Sequence, residues 1–297
     1  MNTSAISPKM GPHNFRCLMF VKASITAKKL RSLPPQATLI LDLEDSIPTE
    51  EKAQQRQKVR RLFEMGLFRD RSVILRINGP DQPIEMRSDL SECLHKDLNG
   101  IMVPMVQSAT ELRCIGELLK HREENLNWGQ GHFSLIPLIE RPGAVLALEE
   151  ISRSSSRIAA LAFGHVDYCV EMHSEIDEEC YADAQMKVLQ TARACRLSAV
   201  STVYLDLAND EGFKLQNKRM KKLGFDGCFA LHPRQAEMAA KIFCHTMEEI
   251  EHSKRVIAAC HEQGTIAILD GEMIGPPMLK IAERILQEHA LAKREVA

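Results

Sequence analysis

The feature that most constrains the fold of this chain is a regular alternation of short apolar segments with helical segments. Eight apolar runs of strand length, separated by helical segments or turns, occupy residues 17–231. Strands that alternate with helices form parallel sheets, because each right-handed crossover returns the chain to the same edge. Eight such units in about 230 residues are typical of a (β/α)8 TIM barrel. The sequence therefore predicts this α/β fold.

The predicted strands and helices follow from apolar runs, caps and breakers. Strands are predicted at residues 17–21, 38–41, 72–75, 100–103, 134–139, 158–163, 197–203 and 226–231. Helices are predicted at residues 25–32, 49–63, 142–151, 181–195, 212–223 and 233–242, with a further helix that starts near Ala109. Ser108 and Glu111 have the spacing of a capping box at the start of that further helix.

The predicted units divide the chain at about residue 245. Residues 15–245 are predicted to form one TIM-barrel catalytic domain. Residues 246–297 contain a helix at 248–263, a short apolar run at 266–269 and a last helix at 276–293. A segment of this length is too short to bury a sizeable core by itself. We therefore expect a C-terminal helical extension that packs on the barrel or on a neighbouring subunit.

Composition argues against several classes of partner. The chain has 38 Lys+Arg against 40 Asp+Glu, so its net charge of -2 gives no general attraction to nucleic acid or to an anionic membrane. Residues 1–14 lack the apolar core of a signal peptide, and no segment has the length of a membrane span. Nine cysteines without a C-x-x-C pair are typical of reduced thiols. We expect a cytoplasmic protein that acts on a small molecule.

Two acids follow neighbouring predicted strands. Glu140 comes directly after the strand at 134–139, and Asp167 follows the strand at 158–163 after three residues. The carboxyl ends of parallel strands meet at one edge, where ligands bind, and two carboxylates at that edge suit a hard divalent cation such as Mg²⁺. As an alternative, each acid caps the helix that follows it.

Further charged residues follow strands at the same edge. The second strand runs into Asp42, Glu44 and Asp45, and the third ends on Arg76. Charges at four strand ends favour a metal and substrate site over helix caps. Arg76 can pair with the acids and also bind a substrate carboxylate, because a guanidinium has five donors. His165 also lies near a strand end, where a histidine can act as a ligand or a base.

Several short motifs occur in the order found in one known family. They are Leu-Asp-Leu-Glu-Asp at 41–45, Arg-Ile-Asn at 76–78, Ile-Glu at 139–140, Ala-Phe-Gly at 162–164 with Asp167, the region of Tyr204, Leu-His-Pro at 231–233 and Asp-Gly-Glu-Met-Ile at 270–274. Together they resemble the citrate lyase β-subunit-like branch of the HpcH/HpaI aldolase superfamily, which includes malyl-CoA and citramalyl-CoA lyases. The resemblance spans residues 17–290.

The resemblance implies an oxo-acid lyase that assembles as a homotrimer or hexamer. With Mg²⁺, which Mn²⁺ can replace, such an enzyme cleaves a 3-hydroxyacyl-CoA thioester to acetyl-CoA and a 2-oxo acid such as pyruvate. By position, Glu140 and Asp167 would hold Mg²⁺, and Arg76 would bind the oxo-acid oxygens. Glu44 and Asp45 would act in catalysis by orienting Arg76 and a water molecule on the metal. A Schiff-base lysine is not needed.

The chain departs from the family pattern at three places. Pro-Gly-Asn after the first strand is replaced by Lys-Ala-Ser at 22–24. Lys22 and Lys28 are candidates for binding CoA phosphates, with a solvated helix face as the alternative reading of each. Leu-Pro-Lys-Val-Glu after the fourth strand is replaced by Val-Pro-Met-Val-Gln at 103–107, which removes two charges. The family has Met-Ile-Asp near the C-terminus, and its Asp serves a neighbouring active site in several relatives. This chain has Met-Ile-Gly at 273–275, so Gly275 replaces that Asp.

Other functions stay open at this point. The altered segments at 22–24 and 103–107 favour a metal-dependent aldolase that acts on free hydroxy acids. A citrate lyase beta subunit is also compatible with the motifs. Gly275 favours a non-catalytic homologue that binds a metabolite, whereas Arg76, Glu140 and Asp167 speak against it. The choice among malyl, citramalyl and citryl substrates depends on pocket volume, which the sequence does not reveal.

Overall fold

The computed structural model describes residues 10–296, with side chains through residue 291. The first nine residues, part of the segment predicted to lack a signal peptide, lie outside this range. The strands are β1 (Cys17–Lys22), β2 (Thr38–Asp42), β3 (Val73–Arg76), β4 (Gly100–Val103), β5 (Ser134–Ile139), β6 (Ala160–Phe163), β7 (Ser198–Val200), β8 (Cys228–Ala230), β9 (Ala267–Leu269) and β10 (Glu272–Ile274).

The α-helices lie between and after these strands. They are α1 (Ala27–Arg31), α2 (Lys52–Glu64), α3 (Pro83–Glu92), α4 (Ala109–Leu126), α5 (Pro142–Leu146), α6 (Leu148–Ser152), α7 (His165–Glu171), α8 (Glu178–Ala194), α9 (Asp210–Leu223), α10 (Pro233–Ile242), α11 (Met247–Gln263) and α12 (Pro276–Val296). Short 3-10 helices lie at Pro12–Phe15 and Thr49–Glu51. Among the described residues, no helix combines the length and the apolarity that a membrane crossing requires.

Strands β1 to β8 form a parallel barrel, which confirms the predicted fold. Within the described chain, they pair in sequence order from β1 to β7, and β8 pairs with β1. A bridge between Val200 and Gly227 joins β7 to β8, and the Ser201 amide donates to the Gly227 carbonyl at 2.9 Å. The closed ring places the carboxyl ends of all eight strands at one rim.

Apolar side chains fill the barrel interior. Inward positions alternate along each strand, because successive side chains of a strand point to opposite faces. The interior cluster consists of Met10, Phe15, Leu18, Ile40, Ile74, Met102, Ile136, Leu138, Ala159, Ala160, Ala162, Val200 and Phe229. Phe20 and Val203 are only partly buried and pack against this cluster. Phe20 lies near the carboxyl end of β1 and Val203 lies three residues after β7, so they form the upper layer of the core.

The observed helices differ from the predicted ones at three places: the segment 142–151 is divided, and neither α3 nor α7 was predicted. The prediction of one helix at 142–151 is wrong, because the helix breaks at Ala147, whose φ is -101° and ψ is 15°, into α5 and α6. Helix α3 was not predicted, because Gly79 and Pro80 indicated only a turn. It starts at Pro83, a residue suited to the first helical position. The capping box of Ser108 and Glu111 on α4 is confirmed.

The chain divides into two compact units, one that ends at Lys241 and one that begins at Ile242. The second unit contains α11, the antiparallel hairpin of β9 and β10, and α12. Its buried apolar cluster consists of Val256, Ala259, Ala267, Ile274 and Ala282. Thr246 and Glu249 form a capping box that starts α11.

A buried ion pair fastens the starts of β5 and β6. Glu123, which is 0% exposed, accepts hydrogen bonds from the amides of Gly131 at 2.9 Å and Phe133 at 3.2 Å. Arg157 donates to the same carboxylate at 2.7 and 2.6 Å. Burial raises the pKa of Glu123, but the hydrogen bonds and charge of Arg157 outweigh it and hold the pKa below its ordinary value. The pair thus anchors the two strands that lead to Glu140 and Asp167.

Replacing Glu123→Gln is expected to lower the free energy of unfolding by about 3 kcal/mol or more, because Arg157 would be left buried without its counter-ion. The measurement is urea unfolding followed by circular dichroism. Glu149→Gln is the matched control, since Glu149 pairs with Arg153 at a surface where the two side chains are 77% and 59% exposed. An equal effect of the two substitutions would show that the buried pair contributes no special stability.

Candidate active site at the carboxyl rim of the barrel

A cavity of about 510 Å³ opens at the carboxyl ends of the strands, where parallel barrels bind their ligands. Its polar and charged walls include Lys22, Asp42, Asp45, Ser46, Arg76, Glu140, His165 and Asp167. Its apolar walls include Phe20, Leu138, Phe163, Val203, Phe229 and Leu231. The structure therefore brings most of the predicted site residues together, while their roles stay predictions.

Arg76 is held by the acids that end β2 and follow it. Its Nε donates to Asp42 Oδ1 at 2.7 Å, and its Nη2 donates to Asp42 Oδ2 at 2.9 Å. Its Nη1 lies 2.6 Å from Glu44 Oε2 and 3.5 Å from Asp45 Oδ2. The guanidinium carbon lies 4.9 Å from the centre of the Phe20 ring, within cation–π range. Burial lowers the pKa of Arg76, but these acids outweigh it and raise the pKa above its ordinary value.

Asp42 is the principal partner of Arg76, a role that the sequence analysis did not assign to it. Parallel pairing of β2 with β3 sets Asp42 directly beside Arg76. Asp42 also accepts hydrogen bonds from the amides of Glu44 at 3.1 Å and Ser46 at 3.3 Å. Burial raises the pKa of Asp42, but the hydrogen bonds and charge of Arg76 outweigh it and lower the pKa. The signal in the sequence was that both strands end at these two residues, so an in-register pair was available.

Glu44 lies against Arg76 and is shielded from solvent, with 5% of its surface exposed. Its Oε2 is at ion-pair distance from Arg76 but lacks the geometry of a hydrogen bond. Burial, with the charges of Glu140, Asp45 and Asp42 adding to it, outweighs the charge of Arg76 and raises the pKa of Glu44 to about 9. Asp45 is different, since its side chain is 69% exposed at the cavity. Of these two acids, Asp45 is the one that a ligand can reach.

Glu140 is fixed by an unusual backbone conformation. The Met105 amide donates to Glu140 Oε1 at 2.6 Å, and Met105 adopts a left-handed φ of 54° that costs roughly 1 kcal/mol for a non-glycine residue. A Cβ added to Gly164 would lie 2.6 Å from Glu140 Oε2, so only glycine leaves room for this carboxylate. The sequence analysis treated Met105 only as a lost lysine. The structure shows that its amide positions Glu140.

Two acids of the cavity lack a cationic partner among the described residues. Glu140 is 2% exposed, and burial, with the charge of Asp167 adding to it, raises the pKa of Glu140 to about 8. Burial and the charge of Asp45 raise the pKa of Asp167 as well. Burial is the main cause of both shifts and the neighbouring acids add to it, and a bound cation would oppose both effects.

The residues present fit a magnesium ion. No group of three or more His, Cys, Asp or Glu side chains is placed to hold a metal in the part of the chain that the structure describes. Mg²⁺ does not require such a group, because it is commonly bound by one or two carboxylates together with water and substrate oxygens. Glu140 and Asp167 supply hard oxygen ligands of this kind.

The two lysines predicted to bind CoA are in different places. Lys22 ends β1, is exposed and lines the cavity. Lys28 lies on α1, is exposed and is not among the residues that line the cavity. Contact of Lys28 with a CoA phosphate therefore requires a ligand that extends beyond this cavity.

His165 forms part of the cavity wall as a neutral group. It is 4% exposed, and its ring centre lies 4.8 Å from that of Tyr181. Burial lowers the pKa of His165 to about 4, so the ring carries no charge at neutral pH. The cations of the cavity wall are thus Arg76 and Lys22 within the described chain.

Known proteins resemble this chain in both sequence and fold. The family model described as HpcH/HpaI aldolase/citrate lyase matches residues 16–233. Citrate lyase subunit beta of Escherichia coli (strain K12) is 28% identical over 284 residues, which cover 93% of this chain and 94% of that protein. L-malyl-CoA/beta-methylmalyl-CoA lyase of Cereibacter sphaeroides (strain ATCC 17029 / ATH 2.4.9) is 27% identical over 300 residues, which cover 92% and 94% of the two chains.

A solved structure agrees on the fold. The crystal structure of CitE from Mycobacterium tuberculosis in complex with magnesium, acetoacetate and coenzyme A superposes with a TM-score of 0.73. It is 21% identical to this chain and covers 95% of this chain and 98% of its own, a likeness that speaks for the fold alone. The family match extends over well more than half of the sequence and includes every acid and arginine of the rim. This chain therefore belongs to the HpcH/HpaI aldolase/citrate lyase family.

Proposed function

We propose that this protein is a Mg²⁺-dependent carbon–carbon lyase that cleaves a 3-hydroxyacyl-CoA thioester of the citramalyl-CoA or malyl-CoA type. The products are acetyl-CoA and a 2-oxo acid such as pyruvate. The observation that carries this proposal is that Glu140, Asp167 and a buried Arg76 line one rim cavity. Neither Glu140 nor Asp167 has a cationic partner among the described residues. The names of the lyase relatives and the ligands of CitE support the same chemistry.

The metal contribution rests on Glu140 and Asp167. These two carboxylates would hold the magnesium ion, which would supply positive charge to the substrate oxygens. The Met105 amide and the space at Gly164 keep the Glu140 carboxylate in one orientation before any ligand arrives. Asp167 is held by its position in the first turn of α7. The ligands are thus positioned by backbone and helix geometry.

Arg76 stabilises the negative charge that develops during cleavage. In a retro-Claisen reaction the hydroxyl loses its proton and becomes the oxo group, while the electron pair of the broken bond moves to the acyl fragment as a thioester enolate. Asp42 takes Nε and one hydrogen of Nη2, and Glu44 lies beside Nη1, so a substrate oxygen meets the remaining Nη hydrogens and the charge of Arg76. Glu44 supports the guanidinium, and Asp45 can accept a substrate proton because it is exposed to the cavity.

A second candidate is a metal-dependent aldolase that acts on free hydroxy acids. It is favoured by Met105, which stands where the family has a lysine, and by Lys-Ala-Ser at 22–24. Comparing cleavage of the CoA thioester with cleavage of the free hydroxy acid separates the two candidates. A non-catalytic homologue would cleave neither, and it would have no need of the complete set of Arg76, Glu140 and Asp167.

Replacing Glu140→Ala or Asp167→Ala is expected to abolish both activity and tight Mn²⁺ binding, because each change removes a carboxylate from the metal site. Mn²⁺ binding is measured by electron paramagnetic resonance, and cleavage by pyruvate release with and without chelator. Glu171→Gln is the control, since Glu171 lies on the same helix but does not line the cavity. Full activity of either alanine variant in chelator would overturn the metal assignment.

Replacing Arg76→Lys is expected to lower kcat/KM at least about tenfold, or roughly 1.4 kcal/mol, because a lysine keeps the charge but cannot make the two-point contact with Asp42. Steady-state kinetics measure the effect, and thermal unfolding shows whether the fold is retained. Arg153→Lys is the control on the exposed surface. If the lysine variant at position 76 has wild-type kinetics, Arg76 serves the fold and not the reaction.

Gly275 generates a prediction about the direction of the reaction. In several relatives an Asp at this position handles the proton at the acetyl carbon, so its absence predicts a lyase with weak condensation and thioesterase activities. Gly275 directly precedes α12, and its carbonyl accepts hydrogen bonds from the amides of Met278 at 3.0 Å and Leu279 at 3.2 Å. A Cβ at this position would meet Pro277 Cδ at 3.7 Å, an ordinary contact. The second unit itself therefore has room for a side chain here.

Replacing Gly275→Asp is expected to raise condensation of acetyl-CoA with pyruvate relative to cleavage. Gly275→Asn is the matched control, because it has the same shape and the same ability to cap α12 without the charge. Condensation and thioester hydrolysis are measured for all three proteins. Wild-type hydrolysis as fast as cleavage would mean that another base, with Asp270 and Glu272 as the nearest candidates in sequence, already performs this step.

A further inference from the structure

We propose that the cavity selects a 2-oxo acid whose substituent is uncharged and apolar, and that it discriminates against oxaloacetate, whose substituent carries a second carboxylate. This inference rests on the proposed lyase function and names its substrate class. It rests on two observations, the distribution of charge around the cavity and the chemical nature of its remaining wall.

The charged groups of the cavity suffice for one substrate carboxylate. Among the described residues, its lining contains four acids, Asp42, Asp45, Glu140 and Asp167, and two cations, Arg76 and Lys22. Asp42 already takes two donors of Arg76 at 2.7 and 2.9 Å. A divalent ion on Glu140 and Asp167 would balance those two acids and leave little positive charge for a second anionic group.

The apolar part of the wall offers no partner to a carboxylate among the described residues. Phe229 is 2% exposed and Leu138 is 4% exposed, and both belong to the barrel core. Phe20 packs on Phe229 with ring centres 5.2 Å apart, and Val203 completes this layer. An ionised carboxylate placed here would lose its water without gaining a hydrogen bond, whereas a methyl or ethyl group would gain from burial.

Neighbouring polar groups do not change this balance. His165 is buried, and its ring packs against the ring of Tyr181 with centres 4.8 Å apart. Lys22 is exposed at the end of β1, where water screens its charge. Arg76 covers the face of Phe20 and is turned toward the strand-two acids. The apolar layer thus adjoins Arg76 at Phe20, and its other members carry no charge.

The test compares free 2-oxo acids that differ in charge or size. The full chain, in buffer that contains Mg²⁺, is titrated in a calorimeter with pyruvate, 2-oxobutanoate, oxaloacetate and 4-methyl-2-oxopentanoate. The pyruvate that forms from oxaloacetate is quantified. The last two compounds match in shape, because an isopropyl group replaces a carboxylate. We expect the three apolar acids to bind at least about tenfold more tightly than oxaloacetate, a difference of roughly 1.4 kcal/mol.

Each other result overturns the inference. Oxaloacetate that binds as tightly as 4-methyl-2-oxopentanoate would show that charge is not discriminated. Weak binding of both oxaloacetate and 4-methyl-2-oxopentanoate, with tight binding of 2-oxobutanoate, would show that size and not charge excludes oxaloacetate. If none of the four acids binds, the cavity is not a binding site for 2-oxo acids. Because these titrations do not need turnover, a protein that shows the expected order but cleaves no thioester would refute the lyase function and leave the selectivity standing.

A substitution in the wall gives a second, independent test. Val203 is partly buried, so Val203→Lys can place an ammonium near the apolar layer while its stem stays packed. We expect it to reduce the preference for 4-methyl-2-oxopentanoate over oxaloacetate to less than about threefold, whereas Val203→Met, of similar length but without charge, retains the wild-type preference. A preference unchanged by the lysine in a folded variant would mean that the substituent does not lie against this wall.

Discussion

The pairing of Asp42 with Arg76 across β2 and β3 is the constraint on which the rim depends. Parallel register sets the two residues side by side, and a buried guanidinium must be paired because an isolated buried charge is strongly unfavourable. Asp42 and Glu44 both lie against this arginine, yet burial and the neighbouring acids still raise the pKa of Glu44. Burial also raises the pKa values of Glu140 and Asp167, which have no ion-pair partner among the described residues. The negative charge of the rim acids thus exceeds the positive charge of the buried arginine.

The two strands that lead to the predicted metal ligands are fastened at both ends. At their amino ends, Glu123 accepts from Arg157 and from the backbone before β5. At the carboxyl end of β5, the Met105 amide and the absence of a side chain at Gly164 decide where the Glu140 carboxylate lies. The left-handed backbone of Met105 is tolerated because its amide then satisfies a buried carboxylate. Rigid support of this kind keeps ligands in place before a metal or substrate binds.

The barrel was predictable because each strand is a short apolar run followed by turn or cap residues, and the rim acids were predictable because they directly follow such runs. Four further features were not. Helix α3 follows a Gly-Pro turn that hides its start, and the break at Ala147 has no breaker residue in the sequence. The contribution of Met105 lies in its φ angle and its amide, which every residue type except proline possesses. Asp42 could be recognised as the partner of Arg76 only once the register of β2 and β3 was known.

Charged and uncharged residues of the cavity carry different information. The acids and Arg76 indicate a ligand site, because burying them is unfavourable unless they pair with one another or with a ligand. The apolar wall is made from inward positions of the barrel strands, and residues such as Phe229 and Leu138 serve the core and the cavity at the same time. In the sequence these positions are indistinguishable from ordinary core residues. Membership of the family therefore points to a lyase. The choice of substrate depends on which side chains form the top layer of the barrel, and only the folded chain shows that layer.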